Sequence, residues 1–270
     1  MIDCHIHTRL CGHADGVMET YVQRAVAAGL KKISFLDHLT APETEQGNSM
    51  TVKEIPLYFQ AVQRLKRRYK SRIDVAAGLE VDFTPAHFDG LIAACDPFDF
   101  DVIGGGLHFP GGVDIVTGAS PLKRGGMDAD EARALYFNAL EQMIDRGSFD
   151  FVCHLDLIKK FGGGWPGQSF EKQMDRILVK IKAANLAVEV NGSGFDHPPR
   201  ESYPGGEIVK KCFARGIDLT IGSDAHRPDQ VGRGNRRILK MIKSAGYSHV
   251  AMFSKRKKEM LPIEIGMGGK

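Results

Sequence analysis

The 270-residue chain has no apolar run near the ~18 residues that a membrane-spanning helix needs. It also has little net charge. Its 36 basic and 33 acidic residues leave +3. That is too small for a general nucleic-acid-binding surface and too balanced for a disordered charged tail, so neither a membrane nor a nucleic acid is an expected partner. No charged-then-apolar leader opens the chain, and the segment MIDCHIHTRLCGHADG carries polar chemistry from His5 onward, so a cytoplasmic location is expected. Cysteine is sparse. Cys4, Cys11, Cys95, Cys153 and Cys212 are odd in number and scattered, with no Cys-x-x-Cys pair. This argues against a disulfide framework or a cysteine-rich zinc site and for reduced thiols. Low-complexity segments, 20–50-residue repeats and long linkers are missing too, so one domain over residues 1–270 is expected, within the ~250-residue range that α/β barrels reach as a unit.

The chain does have 43% hydrophobic residues, enough for a sizeable core. A short apolar run, a polar tip and a helical pattern recur along it. The runs are Met1–His7, Ile33–His38, Asp74–Phe83, Phe98–Phe109, Phe149–Asp156, Ala187–Asn191 and Leu219–Asp224. Each is rich in Val, Ile, Phe or Leu, as suits a strand buried on both faces. Helices are predicted over Val17–Ala28 (with Asp15 as N-cap and Gly29 as the stop), Lys53–Tyr69, Ala129–Arg146, Glu171–Ala184, Gly206–Ala214 and Gln230–Ala245, with a shorter link around Ala86–Cys95. Such alternation predicts a parallel α/β sheet. No glycine-rich dinucleotide fingerprint follows the first run, and nearly every run ends in His, Asp or Glu. Sites built from the C-terminal ends of many strands are a barrel feature, so a seven-stranded (β/α) barrel is favoured over an open sheet.

His5 and His7 end the first run two residues apart, and alternate residues of a strand face one side, so both imidazoles can meet one metal ion. Asp224 and His226 repeat the spacing at the last run. His13, His38, Glu80, His108 and His154 fall at or just past the intervening strand ends. A lone buried histidine is usually a hydrogen-bonded core residue. Seven imidazoles clustered with two carboxylates would lose solvation and repel one another on protonation, unless metal ions hold them neutral. His87, His197 and His249 lie outside this pattern and are read as surface or supporting residues.

Four strings carry a more specific signal: Leu10–Gly16 (LCGHADG), Gly78–Phe83 (GLEVDF), His154–Gly162 (HLDLIKKFG) and Gly222–Pro228 (GSDAHRP). In this order the chain resembles the PHP (polymerase and histidinol phosphatase) superfamily over essentially its whole length, and within it the stand-alone histidinol-phosphate phosphatases. The resemblance implies a distorted seven-stranded barrel with three divalent metal ions. His5, His7, Glu80 and Asp224 would hold one ion. Glu80, His108 and His154 would hold a second, with Glu80 bridging. His13, His38 and His226 would hold the third. Glu80, Asp224 and His226 would thereby carry catalysis.

Imidazole and carboxylate donors suit Zn, Mn or Fe. The expected reaction is hydrolysis of a small phosphomonoester, with hydroxide generated at neutral pH attacking phosphorus in line. Asp37, Asp82 and Asp156 are candidates to orient imidazoles. Lys159, Lys160, Arg200 and Arg227 are candidates to contact phosphate. Two departures bear on the substrate. Asp196 stands about where the family commonly has an arginine, and Phe109–Ile115 lacks a tryptophan-containing run often found there. Histidinol phosphate is the first expectation. Another phosphorylated small molecule or nucleotide, cleaved by a related phosphatase or phosphodiesterase, is the second. A catalytically silent metal-binding module would show missing ligands, and none is missing. The basic stretches Arg64–Arg72 and Lys255–Lys258 are read as a helix face and a tail. Trp165, in a glycine-rich loop, is a candidate lid.

Overall fold

A computed structural model describes residues 1–41, 48–162 and 168–263. Trp165, the candidate lid, lies outside the described residues. Seven parallel strands run in sequence order around a nearly closed barrel: β1 (Ile2–Ile6), β2 (Lys32–Leu39), β3 (Asp74–Asp82), β4 (Val102–Gly106), β5 (Phe151–Val152), β6 (Ala187–Asn191) and β7 (Leu219–Gly222). A helix follows each strand: Met18–Ala27, Ile55–Tyr69, Phe88–Cys95, Ala129–Arg146, Gln168–Ala183, Gly206–Ala214 and Asn235–Ser244. Local chemistry explains these helices. In Ile55–Tyr69 the buried residues are Ile55, Tyr58, Val62, Leu65 and Tyr69, one face of a 3.6-residue period. Ala129–Arg146 is capped by Asp128, whose carboxylate accepts from the amides of Asp130 and Glu131, and it stops at Gly147.

Closure between β1 and β7 rests on few bonds. The His7 amide donates to the Ala225 carbonyl at 2.9 Å, and the Ala225 amide to the His5 carbonyl at 3.3 Å. Asp3, wholly buried in β1, reinforces the seam. Its carboxylate accepts from the Ser223 amide (2.9 Å), the Ser223 hydroxyl (2.6 Å) and the Gly232 amide (2.8 Å). Such bonds offset only part of the cost of burying the acid, since burial still pushes the Asp3 carboxyl up.

The end of the barrel away from the strand tips is plugged by the antiparallel hairpin of β8 (His249–Ser254) and β9 (Lys257–Pro262). Ala251 and Phe253 of β8 join Leu36, Val102, Phe151, Cys153 and Ala187 in one buried cluster, and the Phe253 and Phe151 rings stack with centroids 5.7 Å apart. At the hairpin turn, Asp101 accepts from the Lys255 amide (3.2 Å), and Asp150 pairs with the Arg256 guanidinium (2.5 Å). Lys258 pairs with Asp218 at 2.8 Å. Asp101, Asp150 and Asp218 each lie just before β4, β5 or β7. The Lys255–Lys258 stretch is therefore a barrel plug rather than a tail. In the Arg64–Arg72 stretch, Lys66 pairs with Asp101 and Arg68 with Glu19.

Several boundaries differ from the sequence expectation, among them the fourth strand, which spans Val102–Gly106 rather than Phe98–Phe109, and three have a clear local cause. The first helix begins at Met18, flanked by Val17 without a side-chain cap. Asp15 is not its N-cap, because its amide is tied to the His226 carbonyl at 2.8 Å. The last helix begins at Asn235 rather than Gln230, because Gly232 and Gly234 adopt left-handed φ of 73° and 75°. The fifth strand shrinks to Phe151–Val152, because His154 takes a left-handed φ of 29° and leaves the ladder. All five thiols are free and buried. Among the described residues, no helix is long and apolar enough to cross a membrane.

Removing the plug's anchor tests this account. Phe253→Ala is expected to lower unfolding free energy by ~3–5 kcal/mol in denaturant titration, the usual cost of emptying a phenylalanine site. Metal bound per chain should stay unchanged, because the plug and the strand tips lie at opposite ends.

Candidate metal centre

The strand tips on the other side of the barrel gather all nine residues named as ligands. Glu80 on β3 is the hub and has no exposed surface. Its Oε2 lies 2.9 Å from His38 Nδ1, 3.3 Å from His5 Nε2 and 3.8 Å from His7 Nε2. Its Oε1 lies 2.7 Å from His154 Nε2 and 3.6 Å from His108 Nε2. The two oxygens thus face different sets of imidazoles, the disposition that a bridging carboxylate requires. Asp224 completes one side, with Oδ1 3.0 Å from His7 Nε2 and 3.5 Å from His226 Nδ1. The His226 ring stacks on His7 at 4.1 Å and lies 4.5 Å from His13, which is 5.4 Å from His38.

Two glycines make this packing possible. A Cβ on Gly106 would come within 2.7 Å of Glu80 Oε1, and one on Gly222 within 2.0 Å of Glu189 Oε1. Two of the nine, His154 and Asp224 (φ 55°), hold left-handed backbone, which costs of order 1–3 kcal/mol for non-glycine residues and persists only where the surroundings enforce it.

The donor set fits divalent metal ions. The Nε2 atoms of His5 and His7 face each other at 3.0 Å. His154 Nδ1 and His226 Nε2 are buried with no hydrogen-bond partner among the described residues. His5, His7 and Glu80 place one donor atom each within 4.8 Å of one another, as do His7, His38 and His226. The electrostatics agree. Burial and the neighbouring His38 imidazole push His7 down to about 3, so it stays neutral. Burial alone would raise Glu80, but the imidazoles of His5, His108 and His38 outweigh it and hold the carboxyl well below its usual range. Neutral rings at His7 and His226 beside ionised carboxylates suit metal ligation, whereas at His5 burial is outweighed by the Glu189 and Glu80 carboxylates, which push the ring up, so it must give up a proton to bind a metal ion.

The supporting carboxylates are partly those expected. Asp82 Oδ1 is 3.3 Å from His108 Nδ1, and Asp37 Oδ1 lies 3.4 Å from His7 Nδ1 without forming a hydrogen bond to it. Asp156 orients no imidazole; its oxygen is taken by Lys159 (2.7 Å) and the Gly205 amide (3.1 Å). Glu189 on β6 was not anticipated. Wholly buried, its Oε1 sits 2.7 Å from His5 Nδ1, and its Oε2 accepts from the His154 amide at 2.8 Å and the Asn191 side chain at 3.1 Å. This network assigns the His5 proton to Nδ1 and turns Nε2 toward Glu80. A sequence signal existed: Glu189 is the one charge in the run Ala187–Asn191.

A cavity of about 240 Å³ opens over the cluster, walled by His13, His38, His108, His154, Asp224 and His226 and by residues that include Lys160, Thr117 and His197. Of the four basic candidates, only Lys160 lines it. Lys159 is buried in pairs with Asp156 and Glu201. Arg227 is exposed and paired with Asp229. Arg200 is exposed and donates to the Phe195 carbonyl at 3.5 Å. Asp196 faces Arg233 at 2.9 Å.

Two substitutions probe the centre. Glu80→Gln is expected to lose most bound metal after dialysis against a mild chelator. Glu189→Gln should weaken metal affinity ~10–100-fold, the usual effect of losing the carboxylate behind a ligating histidine. Unchanged metal content in both would contradict the arrangement.

Comparisons with known proteins give the same picture. A family model described as "PHP domain" matches residues 3–193. A probable histidinol-phosphatase of Deinococcus radiodurans is 33% identical over 252 residues, covering 91% of this chain and 94% of that protein. A histidinol-phosphatase of Lactococcus lactis is 23% identical over 259 residues, with 94% of each chain covered. A solved structure of histidinol phosphate phosphatase from Lactococcus lactis, complexed with zinc, L-histidinol and phosphate, superposes with a TM-score of 0.82 at 22% identity. It covers 96% of this chain and 98% of that one. The barrel, the nine gathered side chains and the matched family model together place this chain in the PHP domain family.

Proposed function

We propose that this chain, as one PHP-type domain over residues 1–270, is a metal-dependent phosphomonoesterase that hydrolyses histidinol phosphate. The observation that carries the reading is Glu80, ionised and buried between two sets of imidazoles beneath an open cavity that holds one basic side chain, Lys160. The substrate choice is supported by the 33%-identical relative and by the histidinol and phosphate bound in the Lactococcus lactis structure.

His5, His7, Glu80 and Asp224 would hold a first divalent ion, Glu80, His108 and His154 a second, and His13, His38 and His226 a third, of Zn, Mn or Fe. When bound, such ions supply Lewis acidity toward phosphoryl oxygens and acidify water from a pKa of ~15.7 to ~7. The remaining tasks fall to the chain itself. Glu80 and Asp224 supply the negative charge that balances the ions. Glu189 holds the ring of His5, and Asp82 accepts from the His108 backbone amide at 2.9 Å. Lys160 makes no ion pair among the described residues, and its ammonium is free to meet a phosphate oxygen.

Phosphate release from a panel of esters, with metal quantified on the same sample, tests the reading. Histidinol phosphate should be preferred over nucleoside monophosphates and a phosphodiester. Full metal with preference for another ester would keep the chemistry and reject the substrate. Lys160→Met is expected to lower kcat/KM about 10–100-fold, the usual range for losing one charged hydrogen bond, with metal content unchanged.

A further inference from the structure

The segment between β6 and the helix Gly206–Ala214 forms a braced loop at the cavity edge. Its base is closed by two backbone bonds, from the Asn191 amide to the Tyr203 carbonyl at 2.7 Å and from the Tyr203 amide to the Asn191 carbonyl at 3.1 Å. Asn191 Oδ1 accepts from the Ser193 amide at 2.9 Å and its hydroxyl at 2.7 Å. Lys159 pins the far arm by donating to the Glu201 carboxylate at 2.7 Å and the Ser202 carbonyl at 3.0 Å. The arms touch: a Cβ on Gly194 would lie 2.2 Å from the Glu201 carbonyl oxygen. This frame presents Ser193 and His197 to the cavity on the side of Lys160.

His197 Nδ1 lies 3.0 Å from the Tyr203 hydroxyl, and the two rings stack with centroids 6.0 Å apart. Tyr203 has no exposed surface, and burial together with the charges of Asp156, Asp224 and Glu201 keeps its phenol protonated. Among the described residues, His197 Nδ1 is the one acceptor within reach of that hydroxyl. A buried hydroxyl left without an acceptor loses free energy, so the phenol donates to Nδ1. The imidazole proton then resides on Nε2, on the ring edge away from Tyr203, where no protein partner among the described residues engages it. Burial and the Lys160 ammonium push His197 down to about 4, so the ring stays neutral while its N–H remains a donor.

We propose that His197, held in its Nε2–H tautomer by Tyr203, donates a hydrogen bond to a phosphoryl oxygen of the substrate beside Lys160. The inference rests on the phosphomonoesterase reading above. His197 binds and orients the phosphoryl group and transfers no proton, since a neutral ring of this tautomer has none to give readily. Tyr203 is a positioning residue that acts through it, and Lys159, expected to touch phosphate, instead braces the loop.

The test uses the full chain loaded with metal, with inorganic phosphate as the probe. His197→Ala is expected to weaken phosphate binding about 10-fold by calorimetry and to lower kcat/KM about 10–100-fold, with bound metal per chain unchanged. His197→Gln, which keeps an N–H donor, should recover part of both. Nitrogen NMR gives a readout independent of turnover. His197 should show an unprotonated Nδ1 and a protonated Nε2 in the parent chain, and a mixture of tautomers in Tyr203→Phe, where phosphate binding falls about 3-fold. Parent-like phosphate affinity in His197→Ala, or an Nδ1–H tautomer in the parent chain, would overturn the role of His197 alone. A parent chain that carries metal but neither binds phosphate nor hydrolyses a monoester would overturn the phosphatase reading, and this inference with it.

Discussion

A single buried carboxylate, Glu80, governs the architecture of the site. It has no exposed surface, and three imidazoles lie within 3.3 Å of its oxygens. An isolated ionised carboxylate in such a place would cost several kcal/mol or more, so it exists only because the histidines of four other segments converge on it. Those histidines in turn would repel one another if protonated, and burial keeps rings such as His7 neutral. The cluster is therefore unfavourable in parts and favourable as a set, and divalent cations are the partners that make the set complete.

The rest of the barrel serves to hold this set still. Glycine at positions 106 and 222 leaves room for Glu80 and Glu189 to reach inward. Asp3 ties the first strand to the segment after the seventh, so that His5 and His7 face Asp224 and His226 across the seam. Left-handed backbone at His154 and Asp224 turns both side chains over the barrel mouth. Gln230 adds a further constraint, because its side chain accepts from the amides of His226 at 2.8 Å and Arg227 at 3.1 Å. At the opposite end the β8–β9 hairpin seals the core with Phe253, which leaves the chemistry confined to one mouth.

The alternation of apolar runs with helical patterns made the seven-stranded barrel legible, because strands buried on both faces must be apolar whatever their neighbours are. The nine gathered residues were legible for a related reason. Imidazole and carboxylate donors are chemically distinctive residue types, and in a barrel they stand out when they recur at strand ends. Supporting residues were harder to see. Glu189 looks like any charge in a short run until β6 is placed beside the site, and Lys159 looks like Lys160 until its ammonium is found between Asp156 and Glu201. His197 carries no motif at all. Its place follows from a loop whose two arms close on each other through Asn191 and Tyr203.

The amino-acid sequence by itself determined the seven strands, favoured the barrel and supplied the residue types at the strand ends, since hydrophobic period and ligand chemistry are local properties of the chain. Only the tertiary structure decided which basic residues face the cavity, which carboxylates steady which rings, and which nitrogen of His197 is free. Those are matters of direction and distance between segments far apart in the chain. A one-residue step, such as that from Lys159 to Lys160, is enough to move an ammonium from a buried ion pair to the cavity wall.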